Sequence, residues 1–237
     1  MKKILFLMLF IAFNAKAQKA NDVHELDAKL FKEQTEQSKN VQLIDVRAPY
    51  EMQSGYLKGA RNLNIDDTDF NQKLNLLNKE LPVYVYCVSG RRSEKAARQM
   101  LNQGFKEVYT LSGGIKKWLS NDYETSLDYI AVKDLTLKQY QSILKTEKPV
   151  LVSFFNAQCN NCEQLNKDLV AKAAHMQKDL ILLRIDTELN QQLADELGIK
   201  SVPAIRLYNK QKEVWQANGK IKLKRLDQQL KKIISEK

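Results

Sequence analysis

Val83-Tyr84-Val85-Tyr86-Cys87-Val88-Ser89-Gly90-Arg91-Arg92-Ser93 runs from an apolar, β-prone segment through a cysteine into small residues and two arginines. Glu94-Lys95-Ala96-Ala97-Arg98-Gln99-Met100-Leu101 follows and is rich in good helix formers. The stretch therefore reads as strand, turn and helix, with Ser93 as the N-cap. Cys87 sits where the amide hydrogens of the turn and the start of the helix converge, a setting that favours thiolate over thiol. The plain alternative is a buried, inert cysteine at a strand end. Two arginines and a helix start beside the sulfur argue against it.

Outward from that turn, residues 22–120 alternate between the two element types. A helix is expected over 26–37, a short buried strand over 41–46 and a helix over 70–78. After the Cys87 turn and its helix come a strand over 107–111 and a helix over 113–119. Such alternation predicts a parallel α/β sheet. In these sheets ligands bind beyond the carboxyl ends of strands, where Cys87 lies.

Four motifs carry a resemblance. Asp45-Val46-Arg47-x-Pro49-x-Glu51, Gly55-Tyr56-x-x-Gly59-Ala60-x-Asn62, Tyr86-Cys87-x-Ser89-Gly90-x-Arg92-Ser93 and Leu111-x-Gly113-Gly114-x-x-x-Trp118 resemble the rhodanese family in order and spacing, over essentially the whole of 22–120. Tyr56 stands where that family commonly has His. The resemblance implies that Cys87 becomes a persulfide and that the backbone amides of Val88, Ser89, Gly90, Arg91 and Arg92 form the cradle for the sulfur or an anion. It further implies that Arg92, with Arg91, attracts anionic donors such as thiosulfate. Asp45 and Arg47 read as supports that hold the loop by ion pairing. The related phosphatases and arsenate reductases carry a loop one residue longer, with arginine six positions after cysteine; here that position is Ser93. A tighter cradle suits a sulfur atom better than a tetrahedral oxyanion, so sulfur transfer is favoured over phosphate hydrolysis.

Residues 121–127 are polar and aperiodic, a short linker, and a second domain is expected over 128–237. It reads as a helix over 135–144, a buried strand over 148–155, a helix to about 176, a strand over 180–186, a helix over 191–197, a strand over 201–208, a hairpin partner over 213–217 and a last helix. The stripe of Leu223, Leu226, Leu230, Ile233 and Ile234 marks that helix. Cys159-Asn160-Asn161-Cys162 sits between the first strand and its helix. A Cys-x-x-Cys pair at a helix N-terminus is a redox signal: Cys159 is the expected nucleophile and Cys162 the resolving thiol. With Gly198-Ile199-x-Ser201-Val202-Pro203 downstream, the domain resembles thioredoxin. The resemblance implies a cis Val202–Pro203 bond, with Pro203 packed beside the disulfide. Gln158, Ser153 and Asn160-Asn161 depart from the family's Trp, buried Asp and Gly-Pro. A purely structural disulfide is the alternative, although a loop this short contributes little by chain entropy.

The 237-residue chain carries 38 basic and 28 acidic side chains. The excess lies mainly in the last helix, from Lys220 onward, and no aromatic-interleaved basic stripe accompanies it, so no nucleic-acid partner is expected. Lys2 and Lys3, an apolar run over 4–13 and Ala15-Lys16-Ala17 match a secretory signal peptide cleaved after Ala17. The run is too short to span a bilayer. The mature chain is expected to be periplasmic or secreted, with no stable membrane anchor after cleavage. In such a compartment Cys159 and Cys162 pair and Cys87 stays free. Three cysteines do not make a four-ligand zinc site, and neither metal nor other cofactor is expected.

Together the two sites suggest a sulfurtransferase that takes sulfur from a small sulfane-sulfur donor onto Cys87. The Cys159/Cys162 dithiol would be acceptor or reductant, reset by an external thiol reductant or a thioredoxin-type partner. Two other readings use the same residues. One makes the dithiol an oxidoreductase for exported proteins, with the first domain docking or regulating. The other makes both folds a non-enzymatic interaction scaffold. The sequence leaves open whether the two sites face each other.

Overall fold

A computed structural model describes residues 22–38 and 40–235. The expected signal peptide lies outside the described residues. Among them, no helix is long and apolar enough to cross a membrane.

The first domain comprises β1 (His24–Leu26), α1 (Ala28–Gln37), β2 (Gln42–Asp45), α2 (Pro49–Met52), β3 (Arg61–Asn62), α3 (Phe70–Lys73), β4 (Val83–Tyr86), α4 (Arg91–Asn102), β5 (Val108–Leu111) and α5 (Gly114–Ser120). All strand pairs are parallel, in the order β1-β5-β4-β2-β3. β4 lies at the centre, and all four of its side chains are buried, as a strand covered on both faces requires. On one face Ala96, Ala97 and Met100 of α4 pack with Val83, Val85 and Phe105. On the other, Phe31 and Trp118 pack with Tyr84 and Tyr86. The two alanines let α4 lie close to the sheet. Full burial of Phe31 contributes about 2–3 kcal/mol.

The second domain comprises α6 (Leu137–Ile143), β6 (Val150–Phe155), α7 (Cys162–His175), β7 (Ile181–Asp186), α8 (Gln191–Glu196), β8 (Ala204–Asn209), β9 (Lys212–Asn218) and α9 (Leu223–Ser235). Its order is β7-β6-β8-β9, with β6 and β7 parallel and β8 and β9 antiparallel. The molecule is thus α/β throughout, a parallel sheet followed by a mixed one, each flanked by helices. Leu226, Leu230 and Ile233 of α9 are buried against α7 and β8, while Leu223 and Ile234 are half-buried.

Three expectations are corrected. β1 is a strand that the sequence pattern did not announce. The helix over 70–78 is four residues of α-helix followed by a 3-10 turn over Leu74–Leu76. Ser93 is not an N-cap, because α4 begins two residues earlier with Gly90 as its cap; φ of +98° there suits only glycine.

The polar stretch between the domains is held on both sides. Ser126 and Tyr56 exchange backbone hydrogen bonds of 3.1 and 2.7 Å. The Gln177 side chain accepts from Thr125 N–H at 3.1 Å and donates to its carbonyl at 3.0 Å. Gln53 Nε2 donates to the Ile130 carbonyl at 3.0 Å, and Lys178 pairs with Asp122 at 2.7 Å. Tyr50 of α2 packs against the core of the second domain.

Candidate active site

Cys87 follows β4 directly and is 1% exposed. α5 sets the shape of the loop after it. Ile115 N–H donates to the Cys87 carbonyl at 2.9 Å and Lys116 N–H to the Val88 carbonyl at 3.2 Å. With those carbonyls turned toward α5, the loop's own N–H groups are left for the sulfur. Gly114 makes the approach possible: a Cβ there would lie 2.5 Å from the Cys87 carbonyl oxygen and 2.6 Å from Val88 backbone atoms.

Gly90 N–H donates to Cys87 Sγ at 3.2 Å. Ser93, in the first turn of α4, places its hydroxyl 3.6 Å from Sγ and 2.8 Å from the Gly90 carbonyl. Burial pushes the Cys87 thiol up. The N–H and hydroxyl of Ser93, with the N–H groups of Ser89 and Gly90, outweigh burial and hold the thiol below its ordinary value. The loop therefore stabilises negative charge on sulfur.

Arg92 does not point free into solvent to meet a donor. Its guanidinium forms a two-pronged pair with the Glu51 carboxylate, Nη1 to Oε2 and Nη2 to Oε1, both 2.7 Å. That carboxylate raises the Arg92 guanidinium, and the Cys87 sulfur adds to the effect. Arg91, at the first position of α4, is exposed, with no ion-pair partner among the described residues. Beneath them, Asp45 and Arg47 are buried at 0% and 2% exposure. Arg47 Nη2 reaches Asp45 Oδ2 at 2.6 Å and the Gly55 carbonyl at 2.9 Å, while Nη1 donates to the Glu51 carbonyl at 3.2 Å. The chain of support runs from Asp45 through Arg47 to the Glu51 segment, and from Glu51 to Arg92 at the loop's end. Sequence reasoning missed Ser93 as a neighbour of the sulfur and Glu51 as the partner of Arg92. Both stand within the quoted motifs, which was the only available signal.

In the second domain Cys159 and Cys162 are joined as a disulfide. Cys162 opens α7 and is buried; Cys159, in the turn before it, is half-buried. Ser153, on β6, donates its hydroxyl to Asn166 Oδ1 at 3.0 Å, a neutral pair one helical turn beyond Cys162. The Val202–Pro203 peptide bond is cis, as the resemblance implies.

The structure does not bring the two sulfur sites together. A cleft of about 920 Å³ lies between the domains, and Val88 and Arg92 form part of its wall. Its opposite wall comes from Lys145 to Lys148 and Leu180 to Leu182, which precede or open β6 and β7. Cys159 and Cys162 follow the other end of β6 and do not line this cleft. Six strand residues at about 3.3 Å each separate the two ends by roughly 20 Å.

The rhodanese-like domain model matches residues 27–121, and the thioredoxin model matches residues 131–232. Uncharacterized protein YqhL of Bacillus subtilis is 41% identical over 80 residues, which are 34% of this chain and 62% of that protein. Thiosulfate sulfurtransferase GlpE of Stutzerimonas stutzeri is 38% identical over 77 residues, 32% of this chain and 68% of that one. Its namesake from Shewanella oneidensis is 33% identical over 85 residues, 36% of this chain and 82% of that one. The chain thus spans about three-fifths of the first of these relatives.

Proposed function

We propose that this chain, which belongs to the rhodanese family through residues 27–121 and continues into a thioredoxin domain over 131–232, is a sulfurtransferase carrying sulfane sulfur as a persulfide on Cys87. The observation that carries the reading is a buried thiol held below its ordinary pKa by the N–H groups of Ser89, Gly90 and Ser93 and by the Ser93 hydroxyl. Relatives named thiosulfate sulfurtransferase support thiosulfate as a donor.

The Cys87 thiolate attacks the outer sulfur of thiosulfate. The sulfur–sulfur bond of the donor breaks, and sulfite leaves with the electron pair. The persulfide keeps one negative charge, which the loop N–H groups hold. An acceptor thiolate then attacks the outer sulfur, and Cys87 leaves as the thiolate.

The Cys159/Cys162 dithiol is the proposed reductant of that sulfur. Cys159 attacks the outer sulfur of a persulfide and takes it, and Cys162 then attacks Cys159 and displaces hydrogen sulfide. Two thiols are oxidised to the disulfide and one sulfane sulfur is reduced. An external thiol or a thioredoxin-type partner resets the pair. With the two sites at opposite ends of the second domain, the persulfide that meets the dithiol belongs to a second copy or to a diffusible carrier thiol. Export of the chain after cleavage at Ala17, to the periplasm or beyond, is part of the same reading.

Mixing pre-reduced protein with thiosulfate tests it. Up to two equivalents of sulfite per chain are expected from the parent, one as Cys87 loads and one more after the reduced dithiol has cleared it, and none from Cys87→Ser; release unaffected by Cys87→Ser would overturn it. The half-buried Cys159 beside a buried Cys162 favours a second reading, a thiol–disulfide oxidoreductase for other proteins. Insulin-disulfide reduction unaffected by Cys87→Ala, with no sulfite release, would favour that one.

A further inference from the structure

Two arginine–carboxylate pairs stand by the Cys87 loop, and they differ in reach. The side chains of Arg47 and Asp45 are 2% and 0% exposed, closed to any solute. Those of Arg92 and Glu51 are 30% and 19% exposed. The Glu51 carboxylate spans both Nη atoms of Arg92 at 2.7 Å, the geometry in which a guanidinium holds the oxyanion of a ligand. Its Oε2 also accepts from Ala48 N–H at 3.1 Å, so α2 fixes the carboxylate where it faces Arg92.

Cys87 is 1% exposed, so a donor reaches the sulfur only after a neighbour yields. The contacts that hold the loop from α5 and from Ser93 are backbone and hydroxyl hydrogen bonds, which offer an anion no charge to exchange with. The Arg92–Glu51 pair is different. It closes the end of the loop against α2, and an incoming oxyanion can take the place of Glu51 without leaving the arginine unpaired. The charge on the Cys87 sulfur is felt at the Arg92 guanidinium, so an anion held there lies within the field of the reacting atom. While Glu51 is in place, the pair presents no net charge to a donor.

We propose that Glu51 sets the specificity for the sulfur donor by occupying, on Arg92, the place that the donor's oxyanion takes. Loading is then an exchange: two oxygens of the thiosulfate sulfonate group take the two Nη atoms as the carboxylate swings away. The proposal rests on the sulfurtransferase reading and names the donor class for it. That class is sulfane sulfur joined to an oxyanion with two oxygens to span the guanidinium, as in thiosulfate and organic thiosulfonates. The Cys87 thiolate bonds to the outer sulfur, the donor's sulfur–sulfur bond breaks, and sulfite takes the electron pair. Glu51 returns to Arg92 as sulfite leaves. The internal carboxylate thus raises the donor concentration that loading needs and disfavours donors with no anion to displace it.

The test uses the chain with its Cys159–Cys162 disulfide intact and follows sulfite release in the first turnover against thiosulfate concentration. Glu51→Gln removes the charge and keeps an acceptor oxygen. It is expected to lower the half-saturating thiosulfate concentration roughly fivefold, with the maximal loading rate changed by less than about twofold. A residue that only supports Arg92 would act the other way, raising that concentration and slowing loading. Arg92→Met is expected to raise the concentration, and in its background Glu51→Gln should give no gain. Alkylation of Cys87 by iodoacetate relative to iodoacetamide reads the same exchange without sulfur transfer. That ratio is expected to rise roughly fivefold from parent to Glu51→Gln and to be equal in Arg92→Met and the double variant. A gain that persists in the Arg92→Met background would reveal a through-space effect of charge and overturn the exchange, as would no gain at all. Failure of the parent to release sulfite would overturn the sulfurtransferase reading, and the alkylation ratio would still decide the exchange.

Discussion

The hydroxyl of Ser93 has one proton and two acceptors within reach, the Gly90 carbonyl at 2.8 Å and Cys87 Sγ at 3.6 Å. Ionising the thiol makes the sulfur the stronger acceptor. Cys87 is therefore expected to be alkylated by iodoacetamide with a half-maximal pH below that of an unperturbed cysteine. Ser93→Ala removes the hydroxyl and keeps the backbone N–H, so that midpoint should rise by up to roughly one unit. An unmoved midpoint would show that the backbone alone holds the charge. Glu51 makes a second prediction at this scale. Burial pushes its carboxyl up, but the Arg92 hydrogen bonds and charge win and hold it below the usual carboxylate range. A depressed carboxyl contributes stability that is present above its unfolded pKa of about 4.3 and is lost as pH falls through the folded value. Glu51→Gln should thus lower Tm at neutral pH, by the equivalent of about 1 kcal/mol for a part-exposed pair, and the gap to the parent should close as pH drops below 4.3. A gap independent of pH would sink that account.

Among the elements, α5 helps to shape the reactive loop, because its first N–H groups take the Cys87 and Val88 carbonyls. Gly114→Ala would put a Cβ into those backbone atoms at φ +60°, where no flexible side chain is available to yield. Sulfite release from thiosulfate should fall at least about tenfold, with about 1–3 kcal/mol of stability lost. Wild-type release from Gly114→Ala would mean that α5 does not shape the loop. The Gly113-Gly114 pair was legible as a motif, but its target was not, since the contact joins residues far apart in the chain. Runs such as Val83–Tyr86 and Val150–Phe155 announced themselves by apolarity. β1 did not: three residues with His24 and Glu25 exposed carry no pattern, and only pairing with β5 makes them a strand. Ser93 was misplaced as a cap because serine favours that position by composition, while Gly90 takes it by backbone angle. Glu51 and Arg92 are 41 residues apart, and nothing in spacing alone pairs them.

In the whole molecule, both cysteine sites could be read from the chain, but their relation could not. The polar segment between the domains reads as a free linker. It is instead bonded to Tyr56 on one side and Gln177 on the other, and Tyr50 packs into the second domain's core. Those contacts turn the base of the thioredoxin sheet toward the Cys87 loop and leave the dithiol at the far end. Sulfur loading is then a property of the first site alone, and the dithiol acts after it, in a separate encounter. The most direct test is peptide-mapped mass spectrometry of a Cys159→Ser/Cys162→Ser variant after exposure to thiosulfate. The account predicts the mass of one added sulfur atom on the peptide containing Cys87, to the same extent as in the parent with its Cys159–Cys162 disulfide intact. Absence of that adduct, or its dependence on the dithiol, would contradict it.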